Sequence, residues 1–173
     1  VYGASNPTVG TAVALSGTSY VATTPALLLT VPVGTVVVPL HVRLFQGGTV
    51  AGGVITVIIA ADTINRYSSG GTAHTPINMR IGGAGAATNG TTPRASVCSF
   101  YSGATAAAVT THIQLAAAII THDVATTPFA AQNRFEWSPV ANGEPAPMLV
   151  GPASLLVHSF AGTTAPSWHY SVK

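Results

Sequence analysis

Between Thr35 and Phe45 the chain alternates with a period of two. Val36, Val38, Leu40, Val42 and Leu44 point one way, while Val37, Pro39, His41, Arg43 and Phe45 point the other. That period marks a strand with one buried face, and a helix with 3.6 residues per turn does not keep it. Pro39 has no N–H to give a ladder, so this long strand is expected at a sheet edge or with a bulge there. A second apolar run, Ala26 to Val31, is joined to it by Pro32-Val33-Gly34. Proline fixes φ and glycine accepts a positive φ, so the two runs read as a hairpin.

The same reading extends along the chain. Val54 to Ala60 is β-branched nearly throughout and reads as a strand covered on both faces. Thr110 to Thr121 contains Ala116-Ala117-Ala118, which suits a helix, yet Ile113, Leu115, Ala117 and Ile119 alternate with His112, Gln114, Ala116 and Ala118. No helix cap flanks it, and it reads as a strand. Further strands are expected at Thr11 to Leu15, Ser96 to Tyr101, Asn133 to Trp137, Ser154 to Phe160 and Ser167 to Lys173. Glycine, proline, asparagine, serine and threonine fill the connections. About eight strands joined by turns describe an all-β fold, an antiparallel two-sheet jelly-roll sandwich, with a Greek-key barrel as the nearest alternative. One domain over residues 1–173 is expected. Asp62 to Pro93 has little periodicity, and a loop of about thirty residues usually serves a function or a partner, so it is a candidate contact surface.

Charge narrows the function. Only 6% of residues are charged, with six Lys or Arg, four Asp or Glu and a net charge of +2, while 47% are apolar. A usual soluble domain carries about 25% charged residues. So apolar a chain is not disordered. Its five arginines are scattered from Arg43 to Arg134, which assembles no basic patch for nucleic acid. Pro32, Gly34, Pro39 and the paired glycines at 47–48 and 52–53 interrupt every apolar run before the roughly 18 residues a spanning helix needs, so no membrane insertion is expected. Val1 to Ser5 has no basic segment and no initiator Met, and reads as the start of a processed or partial chain. Cys98 is the single cysteine, which forbids an internal disulfide and reads as a small buried hydrophobe.

Catalytic chemistry finds little to work with. The acids are Asp62, Asp123, Glu136 and Glu144; only Glu136 lies between aromatics, Phe135 and Trp137, and no pair is set for glycosidic acid–base work. No Gly-x-Ser-x-Gly elbow stands between a strand and a helix. Gly82-Gly83-Ala84-Gly85 is followed by no Lys-Ser or Lys-Thr, so no phosphate loop is present. His41, His74, His112, His122, His158 and His169 occur singly, without metal-ligand spacing. A symmetric trimer with one histidine per subunit on its axis would make a three-histidine site without any motif. The reading is therefore of a protein that is not an enzyme and holds no cofactor. Trp168 and Tyr170 share a face of the last strand, and Tyr67, Phe100 and Tyr101 lie near loop starts, where a sugar could stack; filling a core is the commoner use of such rings.

Few charges with many apolar residues leave a free monomer poorly soluble, whereas an obligate interface resembles a core cut in half and removes the problem. Three segments, Leu28 to Leu40, Gly70 to Met79 and Ala165 to Lys173, also carry a likeness. They resemble small structural proteins of tailed bacteriophages and uncultured viruses: capsid decoration or fibre modules with trimeric, tumour-necrosis-factor-like jelly rolls. The resemblance implies a virion-surface protein, a homotrimer that contacts the major capsid protein or another virion protein, with no catalytic residue to carry over. The chain stops at Lys173 in what should be the middle of a final strand, so the true C-terminus is expected beyond it. Phe45, Tyr67, Trp168 and Tyr170 are the rings expected at interfaces. Rival expectations are a module that binds a host-surface glycan and a subunit of an extracellular filament.

Overall fold

β-Branched and aromatic residues on alternating positions extend as the pattern requires. The structure, a computed structural model, describes residues 1–14, 17–47, 54–79, 88–89, 92–93, 96–108, 111–121, 134–162 and 165–173. In chain order its strands are β1 (Tyr2–Ser5), β2 (Val13–Ala14), β3 (Leu27–Val31), β4 (Val36–Val37), β5 (Val42–Gln46) and β6 (Val54–Asp62). Short strands follow: β7 (Tyr67–Ser69), β8 (Thr72–His74), β9 (Ile77–Asn78), β10 (Thr88–Asn89), β11 (Thr92–Pro93), β12 (Ser99–Ser102) and β13 (Thr105–Ala106). The last are β14 (Ile113–Thr121), β15 (Arg134–Trp137), β16 (Leu149–Val150), β17 (Ala153–Ala161) and β18 (Ser167–Val172). The fold is all-β. Among the described residues no helix is long and apolar enough to cross a membrane.

Two six-stranded antiparallel sheets dominate. The first runs β14–β6–β17–β3–β12–β8, the second β15–β5–β18–β1–β9 with β2 added on β18. The principal pairs are nested along the chain: β6 with β14, β5 with β15, β3 with β17, and β1 with β18. Successive pairs of this doubled-back chain fall alternately in the first sheet and the second.

Both sheets turn alternate residues onto one core. Leu27, Leu29 and Val31 meet Ile55, Val57 and Ile59, with Leu155 and Val157, from the first sheet. From the second come Val42, Leu44, Phe135, Trp137, Trp168, Tyr170 and Val172. Two hydrogen bonds tie the sheets through this core. Trp168 Nε1 donates to Ser159 Oγ at 2.9 Å, and the Tyr170 hydroxyl meets His74 Nε2 at 2.8 Å. Burial lowers the His74 pKa and raises that of Tyr170, so both partners of the second bond are neutral near pH 7. A smaller cluster, Leu28, Leu156, Ala104 and Ala106, lies behind the first sheet under Tyr67 and Tyr101.

Three expectations change. The single strand over 35–45 is two strands in different ladders: β4 pairs β16, while β5 pairs β15 and β18. Pro39 falls between them, and the Leu40 and His41 N–H groups both donate to the Lys173 carbonyl, at 2.9 and 3.2 Å. The inward phase slips there too, for Val36 and Val38 are exposed and Pro39 buried, whereas Val42 and Leu44 are buried beyond it. The hairpin of the first two runs does not form, although its turn does, with Thr35 N–H on the Pro32 carbonyl at 3.2 Å. β3 instead lies between β12 and β17. The region from Asp62 to Pro93 contains β7 to β11, with residues 80–87 and 90–91 outside the described set.

Candidate interaction surface

A sheet has two faces, and what remains open after the core is filled is what a partner can meet. The four rings expected at interfaces are placed differently from one another. Trp168 and Tyr170 lie inside, filling the core from β18. Phe45 is half-buried on the outer face of the second sheet, in register between Arg134 of β15 and His169 of β18. Tyr67 is half-buried and stacks on Tyr101, ring centroids 4.1 Å apart at 16°. Phe100, also considered for sugar stacking, is buried.

Charge gathers on the second sheet's outer face, because Val42, Leu44, Phe135 and Trp137 take the inward positions and leave their neighbours outward. His41 Nε2 meets Glu136 Oε1 at 3.0 Å, Arg134 reaches Glu136 Oε2 at 3.4 Å, and Arg43 lies opposite Glu136 in the ladder. The hydrogen bond from His41 is the main cause that holds the Glu136 carboxyl below its usual range, with the Arg134, His41 and Arg43 charges adding to it. The rings that flank Glu136, Phe135 and Trp137, face inward, and its carboxylate is the acceptor of a surface ion cluster.

The first sheet's outer face divides in two. On one half, Ala60, Asp62, Ser154, Leu156 and His158 are all buried. Asp62, one of the four acids of the chain, is paired with Arg66 at 2.9 Å, both side chains fully buried. Thr111 donates to the same carboxylate at 3.2 Å, Arg66 Nε to the Ala107 carbonyl at 2.9 Å, and Ser154 Oγ accepts the Arg66 N–H at 2.9 Å. This network pins three segments to the end of β6. Arg66 is the residue that composition most concealed: counted among scattered surface cations, it sits inside, and its spacing of four from Asp62 was the one available hint.

The other half is open. Val54, Thr56 and Ile58 of β6 share the face with Ala117 and Ile119, which lie opposite Ile58 and Thr56 in the ladder. Ile119 is 76% exposed and Val54 51%. No residue of this set carries a charge. β6 is therefore covered on one face along its length and on the other only toward Asp62, which corrects the expectation of two covered faces. A bulge between Gln114 and Ala116 shifts the phase of β14, so Leu115, Ala116, Ala118 and Ile120 pack on the core. Ala117 and Ile119 then face out.

At the border of the two halves Tyr20 covers His158 and Phe160, ring centroids 5.0 and 6.1 Å away, and its hydroxyl meets His112 Nε2 at 3.0 Å. Burial, with lesser help from His112 and Arg66, lowers the His158 pKa to about 4, so the ring is neutral near pH 7. Among the described residues no three His, Cys, Asp or Glu side chains gather to hold a metal ion. His122 and Asp123 lie outside the described residues, as does the glycine run from Gly82 to Gly85. Cys98 is buried, as expected. No protein-family model, no curated protein and no solved structure matches the chain.

Proposed function

We propose that this chain is a non-enzymatic structural protein of a virus particle, a jelly-roll subunit that assembles as a homotrimer and decorates the capsid surface against the major capsid protein. The nested pairing of β6–β14, β5–β15, β3–β17 and β1–β18 supports the jelly-roll reading, since that winding of a doubled-back chain over two sheets is the plan of the fold. The observation that carries assembly is the open, charge-free strip of Val54, Ala117 and Ile119 beside the half-buried Ile58. Exposed aliphatic side chains grouped on one face, in a chain with 6% charged residues, are what an interface looks like before its partner arrives.

Light scattering over a dilution series tests the reading. A mass of three times 17.4 kDa at every dilution is expected, and Ile119→Asp should give a folded monomer, because a carboxylate on that strip is stranded in the interface. A wild-type monomer at all dilutions rejects the assembly. A glycan-binding module is the second reading, favoured by the half-buried Tyr67–Tyr101 stack at the surface. A monomer that binds a glycan array, and loses that binding on Tyr67→Ala, would move the function there.

A further inference from the structure

Where the chain changes sheets, the core is left open. β4 belongs to one ladder and β5 to another, and the crossing stretch Val38 to His41 takes no part in a strand. Beneath it is a cavity of about 220 Å³. Its floor is the buried core residues Leu29, Cys98 and Phe100, and its walls include Val37, Pro39 and Val172. Among the described residues no acidic side chain, arginine or histidine lines it; Val1, Tyr2, Ser96 and Lys173 bring the polar groups of the lining.

The gap follows from the sequence. Proline cannot donate to a ladder, so the strand breaks at Pro39, and rigid Val37 and Pro39 bridge the sheets without the long side chains that would fill the space between them. The lining is mostly apolar, and an apolar cavity of about 150 Å³ lined by aliphatic and aromatic groups already holds benzene.

We infer that this cavity is a binding site for one small, uncharged, apolar organic molecule, a single aromatic ring or a short alkyl chain, entering beside the Val36 to Leu40 stretch. Binding there draws chiefly on burial of apolar surface, since most of the lining is aliphatic or aromatic. The chain's only thiol, Cys98, is in the wall and reports occupancy directly.

The experiment uses the full chain and benzene, with benzoate as the charged counterpart. At ten times its Kd, benzene should raise Tm by about 3 to 5 °C. It should also slow alkylation of Cys98 by iodoacetamide about tenfold, since the reagent must find the cavity empty. Benzoate should do neither. Val37→Phe places a ring in the space and should abolish both effects; Val38→Trp, altering an exposed lining residue at the mouth, gives the same result without touching the core. The inference is overturned if benzene leaves Tm and alkylation unchanged, if benzoate matches benzene, or if the filled variants respond as wild type does.

Discussion

Trp168 concentrates more of the core than any other side chain: it is fully buried and its indole N–H crosses between the sheets to Ser159. Trp168→Ala should cost about 3 to 5 kcal/mol in a urea titration, through lost contacts and the cavity left behind. Phe45→Ala, on a half-buried ring, should cost clearly less; equal losses would show that Phe45 is covered by something beyond this chain. His158 couples the same interior to acid. Its folded pKa near 4 lies below the ordinary 6.5, so the unfolded chain binds the extra proton between those values. Stability is then complete above pH 6.5, falls as pH drops through that window, and levels off near pH 4 with about 3 kcal/mol lost. His74 shifts in the same direction, and burial is again the cause. Urea midpoints at pH 7, 5.5 and 4 measure the slope. His158→Gln should flatten it, and a slope unchanged in that variant assigns the acid sensitivity elsewhere.

Among the elements, the turn from β7 to β8 depends on two left-handed glycines. Gly70 and Gly71 have φ of +66° and +76°, but they differ in surroundings. A Cβ on Gly70 meets nothing, whereas one on Gly71 would lie 2.8 Å from Ala104 Cα and 2.9 Å from the Ser102 carbonyl. Gly70→Ala should therefore lose only the left-handed penalty of about 1 to 2 kcal/mol, and Gly71→Ala distinctly more, measured by thermal unfolding. Strand positions were legible wherever period two ran unbroken: Val42 to Leu44 and Trp168 to Val172 bury alternate side chains as their patterns require, while Val54 to Ile59 was legible as a strand but not in having one face open. Legibility failed where a single residue reset the phase. Pro39 divides one pattern between two ladders, and the bulge before Ala116 sends Ile119 outward, so the open strip was hidden in a run that reads as an ordinary alternation. Partners were illegible as well: β3 leads into a sound turn signature yet pairs with β12 and β17, because pairing is decided by contacts far along the chain. The short strands β7 to β9 lack enough residues to show any period.

For the whole molecule, scarcity of charge said more than any motif. It pointed away from nucleic acid and toward buried surface, but it could not say that Asp62 and Arg66 would use two of the few charges inside. Breaking that pair by Arg66→Leu leaves a buried carboxylate without its partner and should cost about 3 to 5 kcal/mol, whereas Arg134→Leu, on an exposed pair, should change a urea midpoint little. The nested pairing has a consequence in time. Among the described strands its outermost pair joins β1, translated before the others, to β18, translated after them. A nascent chain can close β6 on β14 early, but the second sheet must wait with β1 and β5 lacking their shared neighbour until translation has passed Val172. Loop closure over so long a separation is slow, and a strand edge that waits uncovered is open to another chain. Synthesis on a crowded polysome is thus a moment when this chain is exposed to pairing with its own copies, before its own strands have closed over those edges.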